Sequence, residues 1–135
     1  MKKVIASGPV IVEDGRILVI KDNKDDFYKI PGGTAEEQDQ EDLEKTCERE
    51  FKEETAGKLK ITRKLSTQIL NKNSQTNEEM IIELHHYFAE LLNKDELKPI
   101  QPVQEIQWLD LEEIKQEKHS VAPNIKFLIE SGDLG

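Results

Sequence analysis

The sequence contains one cysteine and no hydrophobic run long enough to cross a membrane. Cys47 cannot form a disulfide within the chain and belongs to no CxxC motif, which favours a reducing compartment. The apolar stretch near the start is too short for a signal peptide, because it is interrupted by Gly8, Pro9, Glu13 and Asp14. We therefore expect a cytoplasmic protein without a targeting or membrane segment.

Positive charge is also scarce. The chain has 19 Lys and Arg against 28 Asp and Glu, a formal net charge of -9. This balance disfavours generic binding to nucleic-acid phosphates and argues against a DNA-coating role. The length of 135 residues suits one domain with one core, and no repeat or linker divides the chain. We predict a single domain over residues 1–135.

Hydrophobic patterning predicts strands on both sides of one central helix. Residues 10–12 and 17–20 are predicted to form a hairpin, because Asp14-Gly15 between them suits a tight turn. A short strand over residues 27–30 leads into a loop at Pro31-Gly32-Gly33. Later strands are predicted over 59–70, 80–92 and 103–108, and later helices over 111–118 and 123–131. This order indicates an α+β fold rather than alternating βαβ units.

The central helix, predicted over residues 42–55, carries most of the negative charge. Leu43, Cys47 and Phe51 recur every four residues and form its apolar face, and Gly57 is predicted to be its left-handed C-terminal cap. Ten acidic residues and only three basic ones lie between positions 36 and 54. The negative charge is therefore concentrated on this segment.

Three glutamates of this helix point to metal chemistry. At about 100° per residue, Glu50 and Glu54 share the apolar side and Glu53 lies at its edge. Arg49 alone cannot neutralise three carboxylates, and oxygen ligands at this spacing suit Mg²⁺ or Mn²⁺. The alternative is a solvated helix face, which is supported by two stabilising pairs four residues apart, Glu41 with Lys45 and Glu48 with Lys52.

These residues resemble the Nudix box, Gly-x5-Glu-x7-Arg-Glu-U-x-Glu-Glu-x-Gly-U, in which U is apolar. The match consists of Gly33, Glu41 and the run Arg49-Glu50-Phe51-Lys52-Glu53-Glu54, within residues 33–57. Two positions depart from the pattern. Seven residues rather than five separate Gly33 from Glu41, and the later glycine of the box falls on Ala56. Neither change affects a carboxylate.

The resemblance implies an α/β/α sandwich with a mixed or antiparallel sheet and a loop-helix-loop motif. It also implies a Mg²⁺-dependent pyrophosphohydrolase, with Mn²⁺ as a second candidate ion. The expected substrate is a small nucleotide in which a nucleoside diphosphate is linked to another group, such as a nucleoside triphosphate or a nucleotide sugar. In this interpretation the metal ligands are Glu50 and Glu54, with Glu53 as a further ligand or as the general base.

The other candidate site residues follow from the same resemblance. Arg49 would orient the carboxylates together with Glu41, and the backbone of Gly32-Gly33 would contact metal and substrate. Glu105 is the nearest acidic candidate for a base supplied by a later loop. Lys21 is a candidate phosphate contact, although an exposed hairpin charge is the simpler interpretation.

Several alternatives stay open at this point. A non-catalytic nucleotide-sensing module would keep the same fold, although it would not need a base. Hydrolysis of RNA 5′ caps is disfavoured by the acidity of the chain and by its lack of a basic patch. The sequence does not identify the group linked to the diphosphate. A homodimer through exposed strand edges is also compatible with the pattern.

Overall fold

The structure is a computed structural model that describes residues 2–36, 42–73 and 76–134. Glu41 of the predicted motif lies outside these residues. The strands are β1 Lys3–Val10, β2 Val12–Glu13, β3 Arg16–Asp22, β4 Gly33–Thr34, β5 Leu59–Lys64, β6 Gln68–Lys72, β7 Glu79–Leu91 and β8 Val103–Asp110. The helices are α1 Leu43–Thr55, α2 Leu111–Lys115 and α3 Pro123–Glu130, with a short 3-10 helix at Lys94–Glu96.

The strands form two hydrogen-bonded sheets. The larger sheet has the order β4-β1-β7-β5, and β6 also pairs with β7. Within it β1 and β7 are parallel, whereas the other pairs are antiparallel. The smaller sheet is antiparallel, in the order β2-β3-β8. The predicted α+β class with a mixed sheet is therefore confirmed.

The hairpin between β2 and β3 has the predicted tight turn. Asp14 and Gly15 have φ angles of 53° and 76°, so both adopt the left-handed region. Two successive residues with positive φ are characteristic of the type I′ turn, whose twist matches that of the flanking strands. The turn sets the start of β3, the strand at the centre of the smaller sheet.

Strand β3 is buried on both faces because helices lie on either side of it. Ile17 and Val19 pack in one apolar cluster with Ile125 and Leu128 of α3. Leu18, which points to the other face, packs in a second cluster with Phe51 of α1. The sheet therefore lies between α1 and the two C-terminal helices, in agreement with the expected sandwich.

Two strand predictions need correction. Residues 27–30 form only isolated bridges, because hydrogen bonding changes partner from one residue to the next: Tyr28 N–H donates to Ser120 and Lys29 N–H to Ile20. The predicted strand over 59–70 is divided into β5 and β6, which pair with different parts of the long strand β7. Strand pairing depends on residues that are distant in the sequence, so local hydrophobic patterning does not predict it.

The end of α1 also differs from the prediction. The helix ends at Thr55 as expected, but the left-handed residue is Ala56, with φ 60°, rather than Gly57. The ring of Phe51 occupies the space in which a Cβ at position 57 would lie. Glycine is thus required at position 57 for close packing and not for its backbone angle. None of the helices in the described ranges is long and apolar enough to span a membrane.

Candidate active site

Helix α1 presents the predicted glutamates at the edge of the larger sheet. Its N-terminus is capped by the Asp42 carboxylate, which accepts a hydrogen bond from Lys45 N–H at 3.3 Å. Cys47 and Phe51 are fully buried and fix the rotation of the helix. With this face buried, the i, i+4 pair Glu50 and Glu54 is directed towards the loop that enters β4.

Glu54 is partly buried beside the glycine loop. Its Oε1 accepts a hydrogen bond from Gly32 N–H at 2.8 Å. Gly32 has φ 146° and lies so close to the backbone of Ser7 and Gly8 that a Cβ would overlap it. Burial raises the pKa of Glu54 to about 8, although the Gly32 N–H opposes the shift, and the nearby charge of Glu50 adds to it.

Glu50 lies against Gly33 at the start of β4. A Cβ on Gly33 would overlap the Glu50 carboxylate, so the glycine provides the space that this side chain occupies. Glu50 Oε1 accepts a hydrogen bond from Arg49 Nη1 at 3.1 Å. Burial raises the pKa of Glu50 despite the positive charge of Arg49. Two partly desolvated carboxylates, Glu50 and Glu54, therefore lie close together.

Glu53 has a more open position than the other two glutamates. Its side chain is 57% exposed, and Arg49 Nη1 lies 3.3 Å from its Oε1. Arg49 also pairs with Glu36 at 3.6 Å. The guanidinium therefore links three carboxylates, as expected of a residue that orients them, although its partner Glu41 lies outside the described residues.

The structure places Lys21 and Glu105 beside each other in the smaller sheet. They occupy opposite positions on β3 and β8, with 3.8 Å between Lys21 Nζ and Glu105 Oε2. Glu105 Oε1 also accepts hydrogen bonds from Tyr28 and Gln107. Within the part of the chain that the structure describes, these hydrogen bonds and ion pairs of Lys21 and Glu105 do not involve a glutamate of α1. Their roles as phosphate contact and base stay predictions.

A cavity of about 700 Å³ opens beside Gly32 and Gly33. Most of its lining is apolar, including Ile30, Leu84 and Pro123. A polar pair also lies in the wall: the Asn124 amide nitrogen is 3.3 Å from His86 Nε2, and both side chains line the cavity. Sequence patterning gave no signal for this pair, because the two residues come from β7 and α3 and meet only through the fold.

The donor set around Gly33 fits a hard divalent cation. Glu50 and Glu54 supply oxygen ligands whose charges are incompletely compensated by Arg49 and Gly32 N–H. Such carboxylates suit Mg²⁺ or Mn²⁺. In the parts of the chain that the structure describes, no group of three acidic, histidine or cysteine side chains is arranged so that it could hold a metal ion by itself. A cation there would therefore draw on water or on a substrate phosphate for further ligands.

The comparison with protein families identifies this arrangement. A family model described as the NUDIX domain matches residues 1–129. The chain belongs to the NUDIX family. The resemblance to the Nudix family is thereby confirmed, and a hydrolase acting on phosphoric anhydrides is the activity that this membership supports. A search of curated proteins gave no significant match.

Solved Nudix structures share the fold at low sequence identity. A NUDIX hydrolase from Nitrosomonas europaea aligns with a TM-score of 0.75 and 18% identity, over 96% of this chain and 87% of that one. A MutT NUDIX hydrolase from Burkholderia pseudomallei aligns with a TM-score of 0.65 and 23% identity, over 83% of this chain and 86% of that one. An ADP-ribose pyrophosphatase from Streptococcus suis aligns with a TM-score of 0.63 and 18% identity, over 81% of this chain and 75% of that one. At these identities the likeness shows the fold alone.

Proposed function

We propose that this Nudix protein hydrolyses the P–O–P linkage of a small nucleotide in the presence of Mg²⁺. The observation that carries the proposal is the partly buried pair Glu50 and Glu54, placed beside Gly32-Gly33, two residues that line a large, mostly apolar cavity. The cavity has room for a nucleoside, and its lining includes Gly32 and Gly33, against which Glu54 and Glu50 lie, so a nucleotide in the cavity would have its phosphates near these carboxylates. Mn²⁺ is the second candidate ion.

The residues of α1 divide the work in this proposal. Glu50 and Glu54 hold the cation, and Arg49 keeps Glu50 and Glu53 in place through its hydrogen bonds. Glu53 serves as a further ligand or as the base that takes a proton from the attacking water, because it is the most exposed of the three. A bound Mg²⁺ supplies Lewis-acid stabilisation of the charge that develops on the phosphate oxygens.

Two contacts outside the helix complete the proposal. The Gly32-Gly33 backbone lines the cavity and can approach the substrate closely because neither residue has a side chain. Lys21 and Glu105 stay candidates for a phosphate contact and a base, although their pairing with each other makes Glu53 the stronger choice of base. The group linked to the diphosphate is best found by assay.

The first test is a substrate panel with Mg²⁺, comprising nucleoside triphosphates, ADP-ribose, nucleotide sugars and dinucleoside polyphosphates. We expect one class to release phosphate, pyrophosphate or a nucleoside monophosphate. Glu50→Gln and Glu54→Gln should each lower kcat/KM at least about a hundredfold, because each removes a ligand charge. Glu53→Gln should lower kcat/KM about 10²- to 10⁴-fold if this residue is the base.

Matched variants make this test specific. Glu48→Gln changes an exposed glutamate of the same helix and should leave turnover nearly unchanged. Glu105→Gln should also be nearly neutral, whereas a large loss would assign the base to β8 instead. If no nucleotide is hydrolysed but nucleotides raise the melting temperature, the protein is a nucleotide-sensing module and the hydrolase proposal is wrong.

We also propose that the chain acts as a single domain in a reducing compartment such as the cytoplasm. The NUDIX model covers residues 1–129 without a break, and Cys47 is a buried free thiol. Self-association through an exposed sheet edge stays a prediction. Sedimentation or light scattering over a range of protein concentrations would test it.

A further inference from the structure

Lys29 is held in a fixed position in the wall of the cavity. Its ammonium lies 2.5 Å from Asp22 Oδ2 and 3.3 Å from Asp25 Oδ2. Burial alone would lower the pKa of Lys29, but the two carboxylates raise it overall, so the group is charged at neutral pH. Asp22 is itself 8% exposed, and the ion pairs therefore anchor the lysine to the buried end of β3.

The ammonium group retains one donor for a ligand. A lysine side chain has three N–H donors and no acceptor. Asp22 and Asp25 account for two of these, and the third has no acceptor among residues 2–36, 42–73 and 76–134. Because the side chain is 30% exposed and lines the cavity, this third donor is accessible from it.

The position of Lys29 connects the apolar cavity to the carboxylates. The residue lies three positions before Gly32, whose N–H binds Glu54. Lys29 is close enough to Glu54 that its positive charge lowers the pKa of that carboxyl group, against the rise caused by burial. An elongated ligand would place its nucleoside in the cavity and its phosphates towards Glu54. The Lys29 ammonium would then lie beside the ligand, between the cavity and Glu54.

We propose that Lys29 binds a non-bridging phosphate oxygen of the substrate and thereby sets which phosphorus faces Glu50 and Glu54. This inference rests on the proposed function. Asp22 and Asp25 contribute by holding the ammonium in place, which reduces the conformational entropy lost when the phosphate binds. Lysine provides the compact point charge that suits such a contact.

The kinetic test uses the nucleotide that the panel identifies. Lys29→Met should raise KM about tenfold or more, because it removes a charge-assisted hydrogen bond, and Lys29→Arg should recover most of this loss. Lys24→Met is the matched control, since Lys24 is an exposed lysine five positions before Lys29 and does not line the cavity. It should change KM by less than about twofold. A KM within twofold of wild type for folded Lys29→Met would overturn the proposal.

A binding measurement on the wild-type protein separates this inference from the proposed function. Inorganic pyrophosphate with Mg²⁺ is titrated while lysine ammonium signals are followed by NMR, with Lys29 assigned from the Lys29→Arg spectrum. We expect the Lys29 signal to shift and that of Lys24 to stay in place. A Lys29 shift without nucleotide hydrolysis would retain the phosphate contact and reject the hydrolase. Nucleotide hydrolysis with an unshifted Lys29 signal would retain the hydrolase and reject the phosphate contact of Lys29.

Discussion

At the scale of single residues, Gly33 controls the position of Glu50. The glutamate carboxylate fills the volume that a side chain at position 33 would need. Gly33→Ala should therefore push this carboxylate aside, and a displacement of about 1 Å can cost on the order of a hundredfold in rate. We expect kcat/KM to fall about ten- to a hundredfold, measured with the nucleotide identified by the panel.

Stability should change little in the same variant. The atoms that a new Cβ would meet belong to the end of a flexible side chain, and Gly33 has no positive φ. The free energy of unfolding should stay within about 1 kcal/mol of wild type in urea titrations. Thr34→Ala, at the exposed neighbouring position of β4, is the control and should keep full activity. Unchanged activity of folded Gly33→Ala would show that Glu50 does not need its present position.

Residue spacing predicted the local part of the site better than its distant contacts. Arg49, Glu50, Glu53 and Glu54 lie within one helix, so their relative positions follow from helical geometry. The hydrogen bond from Gly32 to Glu54 joins residues 22 positions apart and depends on how the loop packs on the helix. Glu105 likewise accepts a hydrogen bond from the Tyr28 hydroxyl 77 positions away, a contact that the sequence pattern does not specify.

At the scale of elements, the end of α1 offers two substitutions with opposite expected effects. Ala56 has φ 60°, and the left-handed conformation costs a residue with a Cβ roughly 1–2 kcal/mol. Ala56→Gly removes this strain but adds backbone entropy to the unfolded chain. We expect a net gain of about 0.5–1 kcal/mol in the free energy of unfolding, measured by urea denaturation.

The adjacent substitution should destabilise the protein. In Gly57→Ala the new methyl group would meet the ring of Phe51, which is fully buried and cannot move aside. Overpacking of this kind costs about 1–3 kcal/mol. If Ala56→Gly proved destabilising, the strain assigned to the left-handed Ala56 would be wrong, and if Gly57→Ala proved neutral, the close packing of Phe51 on Gly57 would be wrong.

Elements with a local signal were predicted well, whereas those that depend on a partner were not. The periodic apolar face defined α1, and Asp14-Gly15 defined the first hairpin. Residues 27–30 are apolar and aromatic enough to suggest a strand, but their backbone groups bond to two separate segments. The same limit explains why residues 59–70 became two strands, since β7 is long enough to pair with both.

At the scale of the whole molecule, the buried His86 and the partly buried Glu54 give the stability opposite dependences on pH. Burial lowers the pKa of His86 from 6.5 to about 4, so between these values the unfolded chain binds more protons and stability rises with pH. Burial raises the pKa of Glu54 from 4.5 to about 8, so there the folded chain binds more protons and stability falls as pH rises. The two effects oppose each other between pH 4.5 and 6.5.

Above pH 6.5 only the effect of Glu54 is left, so the metal-free protein should become less stable up to about pH 8. The slope for one proton is at most about 1.4 kcal/mol per pH unit. Mg²⁺ favours the ionised carboxylate, so the melting temperature gained on adding it should increase over this range. Calorimetry at pH 6.5, 7.25 and 8 with and without Mg²⁺ measures both trends. Glu54→Gln should remove most of the pH dependence of the melting temperature, both without Mg²⁺ and in the gain on adding it. A wild-type melting temperature that does not change with pH in the absence of metal would contradict the raised pKa of Glu54.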